Sequence, residues 1–175
     1  MVEPVYLQTH EGWLPGGGRP DRIESGRVDW QMFEGSYPLT LDAKGRLTIP
    51  SEMREQLEST CQGKLTVTRH FGHFLRVYPQ PEWERMRELM SRTFTPKEEP
   101  VRRLIIGSAD PVQMDGAGRI LISPILRRAA RLDKRVVLVG DLQRLEIWDE
   151  ELHARYLDEQ AEAGIPEALR DALGF

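Results

Sequence analysis

Asp42, Gly45 and Arg46 in LDAKGRLTIP recur as Asp115, Gly118 and Arg119 in MDGAGRILIS, 73 residues later and at the same offsets. An arginine offers a planar fork of five N–H donors that matches phosphate oxygens, or O6 and N7 of guanine, in a bidentate way. An aspartate two or more residues ahead of a glycine is turn chemistry. Its carboxylate bonds backbone N–H groups further along, and the glycine supplies the positive φ that reverses the chain. The candidate binding residues are therefore Arg46 and Arg119, with Lys44 as an added point charge in the first copy, where the second has Ala117. Asp42, Gly45, Asp115 and Gly118 hold the loops in shape. Turn chemistry alone accounts for the Asp and Gly positions without any ligand, and spacing alone does not assign the arginines to nucleic acid.

The elements around each loop repeat as well. Tyr37, Leu39 and Leu41 alternate with polar or small residues, and Leu47 and Ile49 resume the alternation after DAKG, a hairpin signal. Next comes a helix: PSEMREQLEST places Met53 and Leu57 on one face, and SPILRRAARL opens with Ser123 as N-cap and Pro124 at the first helical position. In the second helix Leu126, Ala129 and Ala130 are expected inside and Arg127, Arg128 and Arg131 outside. KLTVTRHFGHFLRVYP and RVVLVGDLQRLEIWD then both read as strand, polar loop, strand, offset by 70 residues. Each half ends in an amphipathic helix, carrying Trp83, Met86 and Met90 in one and Leu152 and Tyr156, with Asp149 as cap, in the other. The repeat unit is hairpin, helix, hairpin, helix. Thr95, Pro96 and Glu98 form a capping-box set that Pro100 interrupts.

Composition bounds the rest. The chain has 175 residues, 39% hydrophobic and 30% charged, and a single cysteine, Cys61, which excludes an internal disulfide. Its apolar runs are strand-sized, so no membrane span is expected, and the beginning lacks the apolar run of a signal peptide. A cytoplasmic location is expected. The formal net charge of −4 argues at first against nucleic acid, yet residues 149–175 hold eight acids against two arginines, whereas 102–135 hold eight basic residues against three acids. Cys61, His70 and His73 do not have the spacing of a known metal site, and no P-loop, GxSxG or GxGxxG occurs, so an enzyme, a cofactor or a resident metal is not expected.

MFEGSYPLTLDAKGRLTIPSEMREQL, VYPQPEWERM, GSADPVQMDGAGRILISPILRRAARLDKRVVLVG and LEIWDEE resemble the MraZ family of bacterial transcriptional regulators, within the AbrB-like swapped-hairpin superfamily. The similarity covers residues 32 to about 157. It implies an α+β fold, a tandem-repeat swapped-hairpin β-barrel with peripheral helices, divided into repeats at 32–94 and 95–157. It also implies a homo-oligomeric ring that binds G-rich direct repeats in double-stranded DNA ahead of the division and cell-wall genes, represses that operon and resides on the nucleoid. The family's DNA-binding signature maps onto Asp42 and Arg46, and onto Asp115 and Arg119. Residues 1–31 precede this similarity and are expected to be an unstructured extension, with Met32 as an alternative start. The acidic segment 158–175 is expected to be a terminal helix or tail. A related reading is an antitoxin-like or assembly protein whose tail, through Leu169, Leu173 and Phe175, docks on a protein partner.

Overall fold

The computed structural model describes residues 32–166, 169, 170, 172 and 174. The expectations for 1–31 and for Leu173 and Phe175 lie outside the described residues. The first repeat runs β1 (Ser36–Thr40), β2 (Arg46–Thr48), α1 (Ser51–Cys61), β3 (Lys64–Arg69), β4 (Leu75–Pro79) and α2 (Gln80–Thr93). A 3₁₀ turn at Pro96–Glu98 and α3 (Glu99–Ile106) lead to β5 (Asp110–Gln113), β6 (Arg119–Leu121), α4 (Pro124–Ala129), β7 (Arg135–Asp141), β8 (Arg144–Asp149) and α5 (Glu150–Ala163). Pro100 resolves its conflict with the capping box by position. The box closes the 3₁₀ turn, with the Thr95 N–H donating to Glu98 at 2.8 Å, and α3 then starts afresh with Pro100 in its first turn, where no N–H is needed.

The strands do not pair within their own repeats alone. Six form an antiparallel sheet in the order β1-β7-β8-β4-β3-β5, and β2 and β6 form a separate two-stranded ribbon. β1 of the first repeat thus lies against β7 of the second, and β5 of the second against β3 of the first. This is a mutual strand exchange, as the swapped-hairpin expectation requires. The expected closed barrel is corrected: the six-stranded sheet is open, with β1 and β5 as its edges. Both edge strands carry a proline, Pro38 and Pro111, at equivalent places. A proline has no N–H to offer a further strand, so each edge is blunted where it would otherwise recruit one.

One core cluster joins the two halves. Leu47, Ile49 and Leu57 from the first repeat are fully buried with Ile120, Ile122, Leu138, Leu145 and Ile147 from the second. A smaller cluster, Tyr78, Trp83 and Met90, seats α2 on the sheet, and Met86 packs against it. Asp149 caps α5 by accepting from the N–H groups of Glu151 and Leu152, as its position suggested. Ser123 occupies the N-cap of α4 without making the side-chain bond.

At the sheet end nearest α5, His70 stacks on Phe74 (4.3 Å between ring centroids), Phe74 on Trp148 (4.1 Å) and Trp148 on Tyr156 (5.0 Å). Burial, reinforced by the positive Arg76 and Arg144, holds the His70 imidazole down at about 4 against an ordinary 6.5, and burial also lowers His153. A histidine depressed in the folded state is protonated first in the unfolded chain. Its contribution to stability is present above pH 6.5 and is lost as pH falls toward about 4. Denaturant midpoints followed by tryptophan fluorescence are therefore expected to fall across that window, with a shallower fall in His70→Gln; a midpoint flat between those pH values would contradict the buried neutral imidazole.

Candidate nucleic-acid interface

Each DxxGR loop is built by its own aspartate. Asp42 Oδ1 accepts from the backbone N–H groups of Lys44 and Arg46, both at 2.9 Å, and Oδ2 accepts from Arg46 Nε at 2.7 Å. The backbone closes the same turn, with Gly45 N–H donating to Asp42 C=O at 2.8 Å and Asp42 N–H to Arg46 C=O at 3.0 Å. The second loop repeats every bond: Asp115 Oδ1 accepts from Ala117 and Arg119 N–H groups, and Oδ2 from Arg119 Nε, each at 2.9 Å. The Arg46 backbone N–H, then its side chain and the Lys44 N–H, hold the Asp42 carboxyl down at about 2 against an ordinary 3.8. The Arg119 side chain does the same in direction for Asp115. One carboxylate thereby shapes the turn and fixes the root of the guanidinium, while the Nη groups of Arg46 are not spent in that Nε bond.

The two loops meet through the ribbon. β2 and β6 are antiparallel, with Arg46 opposite Leu121, Leu47 opposite Ile120, and Thr48 opposite Arg119. Leu47 and Ile120 point into the core, so Arg46, Thr48, Arg119 and Leu121 share the outward face. Arg46 and Arg119 are diagonal neighbours there, a relation that sets Cα atoms about 7–8 Å apart. The arginines are thus brought together on one surface, Lys44 stands exposed on the first loop, and Asp42, Gly45, Asp115 and Gly118 occupy the turn positions expected of them.

A further pair of arginines, Arg54 and Arg127, meets the loops from the two helices. Arg127 was expected to face solvent; instead it is half-buried and its Nε donates to Ile122 C=O at 3.2 Å. Arg54, at the equivalent place in α1, donates through Nη2 to Ile49 C=O at 3.1 Å. Each lies across the other repeat's glycine. A Cβ on Gly45 would come within 2.7 Å of Arg127 Cζ, and one on Gly118 within 2.0 Å of Arg54 Nε. The backbone exchange runs the same way, Ile49 N–H to Gly118 C=O at 2.8 Å and Ile122 N–H to Gly45 C=O at 2.9 Å. Both glycines have positive φ, +81° and +74°, so they serve two needs at once: the turn, and the close approach of a bracing guanidinium. The offset of 73 residues between Arg54 and Arg127 was the available signal, but it does not reveal a contact with the opposite loop.

The family model of MraZ proteins, described as antitoxin-like, matches the chain twice, over residues 32–104 and 105–175. The chain belongs to the MraZ family. It is similar to the transcriptional regulator MraZ of Thioalkalivibrio sulfidiphilus, at 44% identity over 150 residues, covering 82% of this chain and 100% of that protein. The protein of the same name in Cupriavidus pinatubonensis is 42% identical over 140 residues, covering 80% and 98% respectively. The one in Salmonella newport is 43% identical over 147 residues, covering 81% and 97%. In this MraZ chain the two family units are not independent neighbours, because every short strand that carries a loop arginine is paired with the other unit.

Two outcomes follow from this geometry. A carbon-detected titration should show Asp42 releasing its proton near pH 2, so that the loop keeps its carboxylate bonds at any pH above the ordinary 3.8 and loses them only as pH falls through the lower value; a midpoint at or above 3.8 would contradict the bonding. Gly118→Ala should lower stability by about 1–2 kcal/mol from the left-handed backbone alone, with more from the displaced Arg54, in a thermal melt. An unchanged melt would contradict the bracing.

Proposed function

We propose that this protein is a sequence-specific DNA-binding transcriptional regulator that reads the major groove with the β2–β6 ribbon. The observation that carries the reading is the pair of aspartate-anchored arginines, Arg46 and Arg119, on the outward face of a two-stranded antiparallel ribbon. A major groove about 12 Å wide admits such a ribbon, and an arginine fork suits guanine O6 and N7. Bases are stacked about 3.4 Å apart along a strand, so arginines about 7–8 Å apart match positions two steps from one another. Guanine-rich sites fit this donor set, and Lys44 adds a phosphate contact beside the first loop. The named regulators of the same family support the same reading.

The electrostatics bear on how many copies are needed. Each arginine is already paired with a carboxylate, and the chain carries a formal −4, so one ribbon attracts a polyanion weakly. Repetition supplies what one ribbon lacks. A ring-shaped homo-oligomer would present several ribbons to successive direct repeats, each binding event raising the effective concentration for the next. With Pro38 and Pro111 on the open edges, such a ring would close through helices and loops rather than by extending the sheet. Repression of the protein's own division and cell-wall operon, on the nucleoid in the cytoplasm, is the regulation this reading implies. Among the described residues no helix is long and apolar enough to cross a membrane.

Fluorescence anisotropy against duplex DNA from upstream of the gene tests it. The Arg46→Ala, Arg119→Ala double variant should lose at least about thirtyfold in affinity, at about 1–3 kcal/mol per bidentate contact, and elute from size exclusion with the wild-type assembly. Wild-type affinity should fall log-linearly with salt. Equal affinity of a correctly assembled double variant would reject the assignment.

A further inference from the structure

We propose that Leu121 is a specificity-determining residue: it meets the C5-methyl group of a thymine beside the base that Arg46 contacts, and so gives the reading face a direction. The inference rests on the ribbon being the DNA-reading surface. On that face Leu121 is the one apolar side chain among Arg46, Thr48, Arg119 and Leu121, and it is 51% exposed, whereas its neighbours Ile120 and Ile122 are fully buried. The core therefore gains little from it. Leu121 stands directly across the ribbon from Arg46, at the cross-strand distance of about 4.5–5.5 Å between Cβ atoms. A group that close to an arginine reading one base pair reaches the adjacent pair.

The major groove distinguishes thymine from cytosine by a methyl group in place of a hydrogen at C5 and an acceptor in place of an amine donor. A leucine has no polar atom. Against thymine it buries a methyl group; against cytosine it leaves the N4 amine without a partner. The equivalent place in the first repeat holds Thr48, whose hydroxyl bonds donor or acceptor edges alike and whose contact is therefore less selective. Lys44 against Ala117 is a second difference of the same kind. A ribbon with identical halves would present the same face after a twofold rotation and would favour inverted half-sites. Thr48 paired with Arg119, and Leu121 paired with Arg46, remove that equivalence. A face with direction suits sites repeated head to tail, which is the arrangement proposed above.

The experiment uses the full chain and duplex DNA from upstream of its gene, with each thymine of the bound segment replaced in turn by deoxyuridine, which deletes only the methyl group. Wild type should lose about three- to fourfold in affinity at the contacted thymine, the weight of one buried methyl group. Leu121→Ala should bind the thymine and uracil duplexes alike at that position, with unchanged assembly, since Leu121 is not among the buried core residues. Wild-type affinity indifferent to every uracil replacement, or a Leu121→Ala variant that keeps the full preference for thymine, would overturn the inference while leaving DNA binding by the ribbon intact. Failure of assembled wild type to bind either duplex would overturn the ribbon reading and this inference with it.

Discussion

The reciprocal hydrogen bonds of Ile49 N–H to Gly118 C=O and of Ile122 N–H to Gly45 C=O are the constraint on which the rest of the structure depends. β2 and β6 have three residues each, too few to persist as a free hairpin in water. Their stability comes from being paired with each other and from burying Leu47 and Ile120 completely in a core that both repeats share. The duplication is therefore a folding requirement, whatever the loops bind. Each unit completes the other's sheet through β1 on β7 and β5 on β3, and each completes the other's loop with a guanidinium, Arg127 over Gly45 and Arg54 over Gly118.

How far this was legible in the sequence depends on the range of the interaction concerned. Local chemistry was visible: the Asp and Gly of each loop, the Asp149 cap and the inner faces of α1, α2 and α4 follow from residue types at short spacing, whereas in α5 the expected Tyr156 is exposed and His153 is the buried residue. Partner choice was not, because alternation at 37–49 reads as a hairpin whether a strand pairs with its neighbour or with its counterpart 73 residues away. The duplication allows two copies to share strands, and similarity to the MraZ family made that exchange the expectation. The closed barrel expected with it gave way to an open sheet whose edges carry Pro38 and Pro111. A charge on a helix usually faces solvent, which is the expectation for Arg127. The carbonyl of Ile122 and the absence of a Cβ on Gly45 draw it inward, and neither is visible in the periodicity of the helix.

Under the proposed function, the aspartates would let an acidic chain carry an arginine-based reading face. Pairing Arg46 with Asp42 and Arg119 with Asp115 removes long-range attraction but orients each guanidinium before any ligand arrives. Less side-chain entropy remains to be lost on contact. In the proposed oligomer affinity would be traded for geometry: oriented contacts strengthened by repetition would discriminate among sites better than a broad basic surface, whose binding is largely indifferent to sequence.

The central claim is that the paired ribbon, as one unit, is the surface that meets DNA. Amide hydrogen exchange of the full chain, measured with and without duplex DNA from upstream of the gene, tests it most directly. Slowed exchange in both Arg46–Thr48 and Arg119–Leu121, with their loops, is the predicted result. Protection confined to α2, α3 or α5, with the ribbon unchanged in the presence of bound DNA, would contradict it.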